Sequence, residues 1–105
     1  MATVTLSKRG DGIVNVATAS WTGDGSAQTV TLGFVPLHVK MINETDVIVW
    51  EKWDPMAAAN CIKTVTAGTT TLDTGSAIVI NSDGTLTISA TASANAKVIK
   101  LIARR

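Results

Sequence analysis

The chain is poor in most of the residues that build chemical sites. Its one cysteine, Cys61, allows no internal disulfide, which excludes a stapled secreted scaffold. The one histidine, His38, leaves Cys61 as its only soft companion. Metal sites gather three or four clustered ligands, so no metal and no cofactor are expected. Charged residues make up 16% of the chain, against about 25% in typical soluble domains. The net charge of +1 argues against a nucleic-acid partner held by bulk electrostatics. No apolar run approaches the roughly 20 residues of a membrane helix, so no membrane partner is expected. The first ten residues lack a basic region followed by an apolar one, which points to a chain made in a cytoplasm.

Catalytic signatures are missing as well. Nucleophile-elbow and P-loop patterns are absent from the sequence. Ser-His-Asp chemistry would have to run through His38, in Leu37-His38-Val39-Lys40-Met41. Strand alternation puts 38 and 40 on one face and 37, 39 and 41 on the other, so His38 reads as a polar-face residue beside Lys40. Gly10-Asp11-Gly12 and Gly23-Asp24-Gly25 lack both a following helix start and the spaced oxygen ligands of a calcium loop. Both read as turns. No catalytic residue is assigned, and the chain is not expected to be an enzyme.

What the chain does hold is apolar and β-branched. Hydrophobic residues are 46% of 105, enough for the core of one domain spanning 1–105. The dominant period is two. Thr3 to Leu6, Gln28 to Leu32, Leu37 to Met41 and Thr85 to Ser89 all alternate, with threonine favoured on the polar side. Threonine is stiff at χ1 and suits a half-exposed pleated surface. Val47-Ile48-Val49-Trp50 and Ala77-Ile78-Val79-Ile80 are continuous apolar runs, which predict strands buried on both faces or packed against a neighbour. In the last strand, Lys97 to Ala103, residues 98, 100 and 102 share one face and 99, 101 and 103 the other.

Turn clusters punctuate these strands. Besides the two glycine pairs, Asn43-Glu44-Thr45-Asp46, Asp73-Thr74-Gly75-Ser76 and Asn81-Ser82-Asp83-Gly84 each supply positive-φ or side-chain-bonding residues. Asp83-Gly84 is the strongest hairpin signal. Pro36 removes a ladder donor, so the chain should bend or change sheets at Gly33-Phe34-Val35-Pro36. Asp54-Pro55-Met56-Ala57-Ala58-Ala59-Asn60 is the one helix-compatible stretch, with Asp54 as cap and Pro55 at the first position. The expected architecture is all-β: a single antiparallel β-sandwich or small barrel of about nine short strands, with at most one helical turn near 55–60.

Trp50 and Trp53 lie three apart in one strand and so face opposite ways. One should fill the core, and the other is free to anchor a partner, a role in which tryptophan is enriched. Trp21 has the same two readings. The candidate interface residues are Trp50, Trp53 and Met56. The stretches from Cys61 to Ser76 and from Ala90 to Ala96 carry little or no charge, an edge chemistry that suits a homo-oligomer such as a trimer. Lys97, Lys100, Arg104 and Arg105 form a small basic end.

The phrase Trp21-Thr22-Gly23-Asp24-Gly25-Ser26-Ala27-Gln28-Thr29-Val30-Thr31-Leu32-Gly33-Phe34-Val35-Pro36, leading into Val39-Lys40-Met41-Ile42-Asn43-Glu44-Thr45-Asp46, resembles small virion proteins of tailed bacteriophages. Thr69 to Thr74 and Asn81 to Leu86 are in the same style. The resemblance implies a β-rich structural component of a virion made in a host bacterial cytoplasm. Capsid decoration is the first expectation, with the major capsid protein or other virion subunits as partners. A fibre- or tail-associated module that binds a receptor or glycan is the alternative. The resemblance carries no catalytic residues.

Overall fold

The computed structural model describes residues 4–9 and 16–105. The Gly10-Asp11-Gly12 turn lies outside the described residues. Ten strands follow in order: β1 (Thr5–Arg9), β2 (Val16–Thr22), β3 (Gln28–Thr31), β4 (His38–Asn43), β5 (Ile48–Trp53), β6 (Cys61–Thr64), β7 (Thr70–Asp73), β8 (Ile78–Ile80), β9 (Thr85–Ile88) and β10 (Val98–Arg104). They form two antiparallel sheets, one in the order β1-β2-β10-β4-β5-β6-β7 and one in the order β3-β9-β8. Among the described residues the architecture is the expected all-β sandwich, with ten strands where about nine were expected.

Alternation decides which side of each strand is dry. On the large sheet Ala17, Ala19 and Trp21 of β2, Val39 and Met41 of β4, and Ile99, Leu101 and Ala103 of β10 point inward. Val30 of β3, Ile78 of β8, and Leu86 and Ile88 of β9 meet them from the small sheet in one core cluster. Each large aliphatic side chain buried this way contributes about 1.5–3 kcal/mol. The outer face reads across the strands as Ser20, Lys100, Ile42 and Val49 in one row, and Thr18, Ile102, Lys40 and Glu51 in the next.

The connections change sheets where the turn chemistry predicted a break. After β2 the chain crosses to the small sheet through Gly23-Asp24-Gly25-Ser26, where Asp24 accepts the Ser26 N–H at 3.0 Å and Gly25 adopts φ 80°. It crosses back at Gly33-Phe34-Val35-Pro36, between β3 and β4. Asp83-Gly84 closes the β8–β9 hairpin, with Asn81 N–H donating to the Thr85 carbonyl at 2.9 Å.

One expectation needs correction. Val47 is not a buried strand residue. It is exposed at φ 55° in the turn before β5. Asn43 Oδ1 accepts both the Thr45 and Asp46 N–H groups at 3.0 Å. That tightens the turn and leaves Val47 to make the left-handed step, which is rare for a β-branched residue. The 54–60 stretch, where at most one helical turn was expected, forms consecutive turns.

Gly23 is fixed by close approach. Its N–H donates to the Lys97 carbonyl and its own carbonyl accepts from Ala96 N–H. A Cβ there would stand 2.1 Å from the Ala94 carbonyl oxygen and 2.7 Å from Ser93 backbone atoms. Gly23→Ala is therefore expected to destabilise the fold by about 3 kcal/mol or more, since backbone cannot move aside cheaply. Urea unfolding checks this. A change below about 0.5 kcal/mol, the range of neutral surface substitutions, would contradict the packing.

Candidate functional site

The two tryptophans of β5 part company as alternation requires. Trp50 faces the core and is 3% exposed, so it is not available as an interface residue. Its indole N–H donates to Asp73 Oδ2 at 3.3 Å, and the Lys63 ammonium lies 5.8 Å from the ring centroid. Trp21 is also a core residue, and its indole N–H donates to the Ser93 hydroxyl at 3.1 Å. Trp53 points the other way and is 42% exposed.

Trp53 stands at the end of β5, directly opposite His38 of β4. Beside it the strand-switching segment alternates too. Phe34 and Pro36 turn in, while Val35 and Leu37 turn out, Leu37 to 57% exposure. Asp54 N–H donates to the Leu37 carbonyl at 2.9 Å, and Leu37 N–H to the Arg104 carbonyl at 2.8 Å. These bonds tie the two chain segments into one rim. Val35, Leu37, Trp53, half-buried Met56, Ile80 and Asn81 line a groove of about 400 Å³ there. Of the expected interface residues, the fold brings Trp53 and Met56 together and sends Trp50 inside.

One wall of the groove is set by a buried charge. Lys52 is 3% exposed, on the same inward face as Trp50. Its ammonium donates to the carbonyls of Ala57 at 2.8 Å, Ala58 at 3.1 Å and Asn60 at 2.7 Å. All three of its donors are used, the condition for holding a buried ammonium without a carboxylate. Those carbonyls converge on one point, whereas a helical turn would align them in parallel. The segment also carries a cis Asp54–Pro55 bond, with Met56 N–H donating to the Trp53 carbonyl at 2.9 Å. Burial holds the Lys52 ammonium below its ordinary 10.5, an effect partly offset by Cys61. Cys61 is fully buried, and burial with the Asp73 carboxylate pushes its thiol up to about 11.

Sequence reasoning did not find Lys52, Val35 or Leu37. The signal was present: if Trp50 faces inward, Lys52 must too, and buried Phe34 and Pro36 force their neighbours out.

Elsewhere, His38 lies on the outer face with Lys40, as alternation expected, and its Nε2 is 2.7 Å from Glu51 Oε2. A shallow trough of about 590 Å³ crosses that face, lined by residues such as Thr18, Ser20, Ile42, Val49 and Ile102. The basic end is partly paired, Lys97 with Asp46 at 3.2 Å and Lys100 with the Ser20 hydroxyl at 2.9 Å. Among the described residues no group of three or more His, Cys, Asp or Glu is placed to hold a metal ion.

Two outcomes are expected. Lys52→Met takes the ammonium from three carbonyls, of which Ala57 keeps the Asn60 N–H, and should cost about 3 kcal/mol in chemical denaturation, with the 54–60 segment losing amide protection first. Intact protection there would contradict the role given to Lys52. The unfolded thiol ionises near 9.0 and the folded one near 11. Its stabilising contribution is therefore complete below pH 9.0 and lost as pH rises through about 11. Lys52, lowered on folding, contributes with the opposite sign, rising with pH up to 10.5. Removing the thiol in Cys61→Ala should thus flatten the alkaline loss of stability. Native Cys61 should also resist a disulfide reagent at pH 8 that modifies it fully after unfolding. No family model, curated protein or solved structure matches the chain, so the groove is read from its own chemistry.

Proposed function

We propose that the chain is a structural virion protein of a tailed bacteriophage, a capsid decoration protein that binds the assembled head non-covalently. The major capsid protein is its partner, and the groove around Trp53 is the contact. The virion assignment is supported by the Trp21–Pro36 phrase and its continuation to Asp46. The observation that carries the docking role is Trp53 itself. A large aromatic stands 42% exposed among exposed aliphatic neighbours, on a rim held by two backbone hydrogen bonds. Apolar surface of this kind is stabilised by covering it, and a rigid indole loses little entropy on docking. Repetition over a shell then multiplies a weak single contact, with avidity gains of about 10²–10⁴.

The same groove supports a second reading. Asp54 and Asn81 line it beside the indole, giving a polar edge next to an aromatic face. That pairing suits a glycan, which would make the chain a receptor-binding module of a fibre or tail.

Co-sedimentation with undecorated heads separates the readings. Trp53→Ala should lower head binding by about tenfold or more while the chain stays folded, the cost of losing an interface anchor. Val47→Ala, exposed but outside the groove, should bind as the parent does. Equal head binding by Trp53→Ala would overturn the docking role. Binding to a glycan array lost in Trp53→Ala, with no binding to heads, would favour the second reading.

A further inference from the structure

The two edges of the large sheet are β1 and β7. They differ in chemistry. The β1 segment reads Thr-Leu-Ser-Lys-Arg. The β7 segment is Thr-Thr-Leu-Asp, with no charge before Asp73, no proline and no bulge in its pairing with β6.

The phase of the β6–β7 ladder says which groups of β7 face outward from the sheet. Val65 N–H donates to the Thr69 carbonyl at 3.1 Å, so 65 and 69 are a hydrogen-bonded pair. Antiparallel pairs alternate, so Thr64–Thr70 is a non-hydrogen-bonded pair, Lys63–Thr71 a bonded one, and Ile62–Leu72 a non-bonded one. The 3.1 Å contact between the Thr64 and Thr70 hydroxyls fits the closer spacing of a non-bonded pair. The N–H and C=O of Thr70 and Leu72 therefore point to the open edge. The hairpin also has little cover of its own. Thr70, Thr71 and Leu72 are all exposed, Leu72 to 56%. An edge strand exposed on both faces leaves its open ladder groups to a further strand.

We propose that β7 is a self-association edge, on which the β7 of a second copy pairs antiparallel about a two-fold axis through Leu72. The four residues of β7 offer four axes, and side-chain chemistry separates them. An axis at Thr70 sets each Leu72 opposite Gly68, which has no side chain to cover it. An axis at Asp73 sets two carboxylates directly opposite, which is unfavourable. An axis at Thr71 leaves each Leu72 facing a threonine. The Leu72 axis joins the two leucines into an apolar strip continuous with Ile62 on both sides, since Ile62 is the cross-strand neighbour of Leu72. It also sets Asp73 of one copy opposite Thr71 of the other, whose own neighbour across β6 is Lys63. Both Leu72 residues then exchange backbone N–H and C=O bonds in phase with the existing ladder. The two large sheets become one continuous sheet across the dimer. The proposal goes beyond the decoration role and uses none of the groove residues, so either can fail alone.

Light scattering over a concentration series tests it, with cross-linking to fix the register. The parent chain should move from 10.9 kDa toward twice that mass as concentration rises. Leu72→Lys should remain monomeric throughout with an unchanged thermal midpoint, because the side chain is exposed in the single copy. Under mild oxidation Leu72→Cys should form a covalent dimer and Thr71→Cys should not. Cys61 stays out of the reaction because it is fully buried. A parent chain that is monomeric at millimolar concentration, or a Leu72→Lys variant that still dimerises, would overturn the edge. A Thr71→Cys dimer formed in place of the Leu72→Cys dimer would overturn the register.

Discussion

A lysine ammonium inside the sandwich organises the end of the molecule that matters most. Lys52 sits at a core position of β5, where an apolar residue would be the simple choice. A buried charge is costly unless its donors are all satisfied. The chain meets that condition by folding residues 57–60 around it, so that three backbone carbonyls face one nitrogen. The turn segment is thereby fastened to the sheet without packing a large side chain beneath it. Met56 is fixed as a groove wall by the same arrangement, beside Trp53 at the end of the same strand. The groove is in this sense a consequence of where the ammonium is satisfied.

The sandwich supplies the other half of that geometry. The chain crosses between sheets after β2, β3, β7 and β9. The crossing after β3 carries Val35 and Leu37 to the end of the molecule, next to the last residue of β5. Both residues alternate with buried neighbours, so their exposure follows from the need to plug the core with Phe34 and Pro36. Apolar exposure concentrates where two independent alternations, one in β5 and one in the 33–37 segment, run out together.

Much of this was legible in the sequence. Period-two patterning identified the fold class, and Asp and Asn turn chemistry located most strand breaks. Pro36 marked a true change of sheet, and the opposite facing of Trp50 and Trp53 followed from their spacing. What escaped were features that depend on a partner far along the chain. The alanines of 57–59 favour helix locally, but the Lys52 ammonium takes the Ala57 and Ala58 carbonyls and the Ser76 N–H takes that of Ala59. Val47 reads as strand because it is β-branched, yet the Asn43 side chain closes a turn that needs a left-handed residue there. The choice of Trp53 over Trp50 as the outward residue required knowing which face of β5 the small sheet covers.

A decoration role makes one geometric demand: the Trp53 end must face the shell. Electron cryo-microscopy of heads incubated with the chain tests this directly. Density for the sandwich is expected with the Trp53 groove against the capsid surface. A chain bound by any other face, or heads that show no added density at saturating concentration, would contradict it.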